Sequence, residues 1–203
     1  MFINSTELDA LSELINIGFG RAASALSTLV GRRVLLEAPQ VSVYPISELE
    51  KTLIDLNNDE LTNVHQIFKG KLAGDAMLLM EAYSASILVD LLSGGPGRPH
   101  TITASDRETL VEAGNILLNA FIGSFGNLLR VHITFTVPRL KLESLREILN
   151  ALSIDNLEVE YAMIVKTHFR LAQGDVRGYM VIVMGIQSLE TLFEAMKAEG
   201  YLA

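Results

Sequence analysis

With 203 residues, 49% apolar and 20% charged, the chain has the balance of a soluble globular protein long enough to bury a sizeable core. Its formal charge of -8, with no cluster of Lys and Arg, argues against a nucleic-acid binder, which needs concentrated positive charge to meet phosphates. The lack of cysteine excludes disulfides and thiolate chemistry; with no apolar run of ~20 residues and no signal-peptide pattern, a cytoplasmic protein off the membrane is expected.

The first element is a long amphipathic helix over about residues 7–30. Leu8, Leu11, Ile15, Gly18, Ala22, Ala25 and Leu29 recur at steps of three and four and form one stripe for the core. Asp9, Glu13 and Asn16 share a face roughly opposite that stripe. Farther along this outer face Gly20, Ala23 and Ser27 keep the helix surface low, leaving room for another protein to approach. Strands follow at about 34–44, 64–72 and 75–81, then an amphipathic closing segment at 84–92.

The Gly/Pro stretch Ser93-Gly94-Gly95-Pro96-Gly97-Arg98-Pro99 rejects helix and strand alike and reads as a linker. No Gly-Lys-Ser/Thr follows, which argues against a phosphate-cradling loop. A second long helix is expected at about 106–129, with Leu110, Ala113, Leu117, Phe121 and Leu128 inward and Glu108, Glu112 and Asn115 outward. After it come a strand at 131–137, a helix at 142–152, strands at 159–171 and 177–185, and a closing helix at 188–196.

The chain is written twice. Thr6 and Ser105, Asp9 and Glu108, Glu13 and Glu112, Asn16 and Asn115, and Pro39 and Pro138 are all 99 positions apart. The expected fold is therefore α+β: a pseudo-twofold duplicated repeat with a mainly antiparallel sheet and long, exposed, site-bearing helices. One domain would span 1–203, made of repeats at about 1–94 and 105–203 joined by the linker at 93–104.

Thr6 followed by Asp9, and Ser105 followed by Glu108, have the spacing of capping boxes, which gives those two acids a structural role. Glu13 and Glu112 lie a turn deeper, where capping no longer explains them. Asn16 and Asn115 are harder to dismiss, because Asn is a mediocre helix former whose amide competes for backbone hydrogen bonds. Its place mid-helix in both halves, three residues after Glu, calls for a use of the side chain. Other chemistries are weakly represented. His65, His100, His132 and His168 show no metal-ligand spacing, so no metal site is expected. Gly123-Ser124-Phe125-Gly126 lacks the order of a nucleophile elbow. Pro39 and Pro138 each end a strand-like run and set a sheet edge beside the helix.

The pattern acidic-or-Ser, three residues, Glu, two residues, Asn, twenty-two residues, Pro is the signature of the CheC/CheX/FliY phosphatases of chemotaxis signalling, and the chain resembles that family over essentially its whole length. Asp9-Glu13-Asn16-Pro39 fits fully; Glu108-Glu112-Asn115-Pro138 fits with Glu where the family carries Asp or Ser. The surrounding segments look most like the CheC branch. The resemblance implies hydrolysis of the phosphoryl-aspartate of a CheY-like receiver. Asn16 and Asn115 would orient the attacking water, and Glu13 and Glu112 would pair with the receiver's lysine. Asp9, Pro39, Glu108 and Pro138 would support the motif. It implies no cofactor of the chain's own, Mg²⁺ being supplied by the receiver, and CheD as a second candidate partner. The other reading it leaves is a non-catalytic docking module, as in the flagellar switch.

Overall fold

Asn4 and Thr103 open the two long helices in the same way. Each side chain accepts the backbone N–H three residues on, and the acid at that position, Glu7 or Asp106, accepts the cap's own backbone N–H. The caps thus lie two residues ahead of those expected. Asp9 and Glu108 are not capping groups but exposed acids in the second turn. The reason is visible in sequence: Asn4-x-x-Glu7 and Thr103-x-x-Asp106 offer the same signature two residues earlier, and these boxes set the helix starts.

The structure is a computed structural model that describes residues 3–31, 33–36, 39–53, 60–155, 159–171 and 174–202. Its first half carries α1 (Ser5–Val30), β1 (Val34–Leu36), β2 (Gln40–Pro45), a 3-10 turn (Ile46–Glu48), a short α2 (Leu49–Thr52), β3 (Leu61–Gly70), β4 (Gly74–Glu81) and α3 (Ala82–Leu92). The second half carries α4 (Ala104–Leu128), β5 (Ile133–Phe135), β6 (Arg139–Glu143), α5 (Leu145–Asp155), β7 (Val159–Leu171), β8 (Gly174–Gly185) and α6 (Ile186–Ala198).

Among the described residues the strands form one antiparallel sheet in the order β1-β7-β8-β4-β3-β5, with β2 also on β7 and β6 also on β3. The mates β4 and β8 lie side by side at its centre. Around them the halves interlock: β1 and β2 pair with β7 of the second half, and β5 and β6 pair with β3 of the first. This is the pseudo-twofold α+β architecture with an antiparallel sheet that the repeat implied.

Each edge is divided where one strand was expected. Proline lacks the N–H that a ladder needs, and Pro39 and Pro138 fall between β1 and β2 and between β5 and β6. Residues 37–38 of the first expected strand lie outside the described residues. The helix expected from 142 starts at Leu145 instead, because Ser144 and Glu147 form a capping box there and leave 139–143 as a strand.

Strands β4 and β8 are buried on both faces, so they read as continuous apolar runs. Leu78 and Met80 join α1, α3 and α4 in one cluster, while Met77 and Leu79 join α2 and α5 in another. The long helices meet closely through Gly18, where an added Cβ would come 2.6 Å from Ser124 Oγ and 3.0 Å from the Phe121 ring. Phe19 also stacks edge-on against Phe121 at 5.2 Å. The twofold mates divide the corresponding space of the other cluster in the opposite way, with Leu117 large and Ala22 small, both buried. The expected stripe holds for Leu11, Ile15, Gly18 and Ala22, is widened by Leu14, Phe19 and Leu26, and fails at Leu29, which is exposed.

The Gly/Pro linker is tied to α3. Asp90 accepts the backbone N–H groups of Gly97 at 2.6 Å and Arg98 at 2.9 Å, and these, led by Arg98, hold its carboxyl below the ordinary aspartate range.

Candidate active site

Residues three apart on a helix are surface neighbours, so each Glu-x-x-Asn motif presents a carboxylate and an amide side by side. On α1 the arrangement is open. Asp9, Glu13 and Asn16 are all exposed, and the Asn16 amide has no hydrogen-bond partner among the described residues. Gly20, one turn beyond, is also exposed, and a Cβ built there would meet nothing within 4 Å. Its neighbours Ala23 and Ser27 are half-buried. The absence of a side chain at Gly20 is therefore not required by packing, unlike Gly18.

The second motif is different. Glu108 and Glu112 are exposed as expected, but Asn115 is half-buried. Its Oδ1 accepts from Asn119 Nδ2 at 2.8 Å and stands 3.4 Å from Gln66 Nε2. The expectation that Asn115 faces outward like Asn16 is corrected accordingly. Helix α4 lies directly over β3: a Cβ at Gly114 would meet the Val64 side chain at 2.5 Å, and Gln66 follows Val64 on the same strand face. Gln66 also donates to the Thr136 carbonyl at 2.8 Å, which ties the second motif to the loop before Pro138. Pro138 is buried and Pro39 half-buried.

Asn119 and Gln66 were missed in the sequence. Asn119 had a local signal, an amide four residues after an amide on one helix face. Gln66 had none, since β3 reaches α4 only through the fold. Among the described residues no three His, Asp or Glu side chains gather as a metal site, and no helix is long and apolar enough to cross a membrane.

Residues 7–43, which hold the first motif, match the model of the CheC-like family. The chain is 26% identical over 209 aligned positions to the CheY-P phosphatase CheC of Bacillus subtilis, covering 97% of this chain and 96% of that protein. It is 27% identical to the flagellar motor switch phosphatase FliY of the same organism, over 86% of this chain but only 44% of FliY. In fold it is similar to Thermotoga maritima FliY, with a TM-score of 0.80 at 20% identity over 98% of this chain and 100% of that one. A chain of the CheX-CheY-BeF3-Mg²⁺ complex from Borrelia burgdorferi shares the fold more distantly, with a TM-score of 0.50 at 15% identity over 84% of this chain and 99% of that one. The resemblance to the CheC/CheX/FliY family drawn from the two Glu-x-x-Asn motifs is thus borne out by a family model, by relatives named CheC and FliY, and by a solved fold.

Proposed function

We propose that the chain is a phosphatase for the phosphoryl-aspartate of a CheY-like receiver, with α1 as the docking helix and Asn16 as the group that positions water. The observation that carries this reading is the exposed pair Glu13 and Asn16, one turn apart, the amide unpartnered among the described residues. An acyl phosphate is already labile, and phosphoryl transfer responds mainly to positioning and electrostatics. A side-chain carbonyl can accept a hydrogen bond from the attacking water while remaining uncharged beside phosphate. A carboxylate in the same place would repel it.

Glu13 is suited to pair with a lysine of the receiver, and Asp9 extends the same acidic row. Neither acid is used up in capping, which leaves both for docking. The names of the relatives support the substrate: the Bacillus CheC is called a CheY-P phosphatase, and the solved CheX complex contains CheY. Mg²⁺ would arrive with the receiver and balance charge on the phosphoryl oxygens. The chain supplies the amide, the carboxylates and a low helix surface.

The test is phosphate release from a phosphorylated CheY-like receiver, with and without this protein. Wild type should accelerate it, and Asn16→Ala with Asn115→Ala should abolish the acceleration while the fold survives. A double variant that remains fully active would overturn the assignment. Binding without any acceleration by the wild type would favour the docking-module reading.

A further inference from the structure

The amide of Asn115 belongs to a chain of side-chain amides whose orientation is set by one backbone group. The Thr136 carbonyl can only accept, so Gln66 must turn its NH2 toward it, at 2.8 Å. That same NH2 stands 3.4 Å from Asn115, so the atom Asn115 turns toward it must be its oxygen. Asn119 must in turn offer its own NH2 to that oxygen, at 2.8 Å. No member of the series can flip alone without setting two donors, or two acceptors, against each other.

The consequence is chemical. A carbonyl oxygen has two acceptor directions, and both at Asn115 are faced by donors of the same chain. What Asn115 has left to offer a partner is its NH2. A donor would engage the lone pair that water needs for attack, where an acceptor would hold the water by its proton and leave that lone pair free.

The first half lacks this arrangement. Asn119 is matched by Gly20, which is exposed and surrounded by open space. Gln40 pairs with Lys166 and its mate Arg139 pairs with His65, so the position matching Gln66 is Thr167.

We infer that Asn119 and Gln66 lock the second site, so that it is latent while the first is competent as built. This rests on the phosphatase reading above. Asn119 and Gln66 act as positioning residues through Asn115 and touch no substrate themselves. The lock is selective because the acidic half of the second motif, Glu108 and Glu112, stays exposed; a receiver could still dock there without being hydrolysed.

The test uses the full chain with Asn16→Ala, which leaves only the second site. Adding Asn119→Ala removes the lock's donor and should raise phosphate release from the phosphorylated receiver about tenfold, the scale of one hydrogen bond. Asn119→Asp keeps the shape but sets an acceptor against the Asn115 oxygen, which takes away that oxygen's donor and repels it from the lock; it should raise the rate as well. A merely structural Asn119 would give slower or unchanged rates in both variants, and that result overturns the lock. Hydrogen exchange of the Asn119 side-chain NH2, followed by NMR without any receiver, should be slowed in wild type and fast in Asn115→Ala. Equal, fast exchange in both would also overturn it. If wild type fails to act on receivers yet its exchange is slowed, the phosphatase reading fails and the lock stands.

Discussion

The two halves of this molecule share a backbone and differ in what surrounds the same amide. The backbone likeness reaches small details: Gly31 and Arg130, 99 positions apart, both take the left-handed conformation, at φ 65° and 52°. Yet Asn16 is exposed and unpartnered among the described residues, and Asn115 is half-buried and held by Asn119. The difference follows from two positions: Asn119, a turn away, where the first half has Gly20, and Gln66 on β3, where the matching position is Thr167. Duplicating a motif duplicates its side chains but not their hydrogen-bond partners, and the partners decide which atom of an amide is left to work.

The comparison can be strained at the helix crossing. Gly18 faces Phe121, whereas their mates Leu117 and Ala22 reverse the sizes. Gly18→Leu gives the first half its mate's residue, but against a ring already in contact, and should cost about 3 kcal/mol of stability in a denaturant melt. Adding Phe121→Ala then reproduces the mates' pairing and should recover most of that loss, a coupling that independent sites would not show. If the two losses simply add, the halves do not pack as mates. The helix caps offer a smaller effect. Arg130 holds a left-handed conformation that costs an L-residue ~1 kcal/mol, and its ion pair with the half-buried Glu199 at 3.2 Å, open to solvent at the arginine, contributes little. Arg130→Gly should therefore raise the melting temperature by a few degrees, and Gly31→Ala should lower it by a similar amount. Opposite signs at mated positions would confirm a shared backbone with unequal residues.

Much of this was legible in the sequence for physical reasons. The spacing of Glu13-Asn16 and Glu112-Asn115, with Pro39 and Pro138, revealed the repeat, and helical periodicity identified the outer face of α1. What the sequence concealed was non-local or competitive. Two capping signatures overlap at each helix start, and choosing Thr6 over Asn4 turned Asp9 from a surface acid into a cap. The division of the sheet edges follows from the prolines, yet strand-like residues on both sides disguised it. The contact between Gln66 and Asn115 spans 49 residues and exists only because α4 crosses β3, so this part of the difference between the sites had no local signal, whereas Asn119 against Gly20 did.

The decisive measurement sets the single variants Asn16→Ala and Asn115→Ala side by side, following phosphate release from one phosphorylated CheY-like receiver in the presence of Mg²⁺. With α1 carrying the working site, Asn16→Ala should remove roughly 100-fold of the acceleration, the scale lost when a reacting group is no longer positioned, while Asn115→Ala should change it less than about twofold. Equal losses, or the larger loss at Asn115, would contradict that assignment.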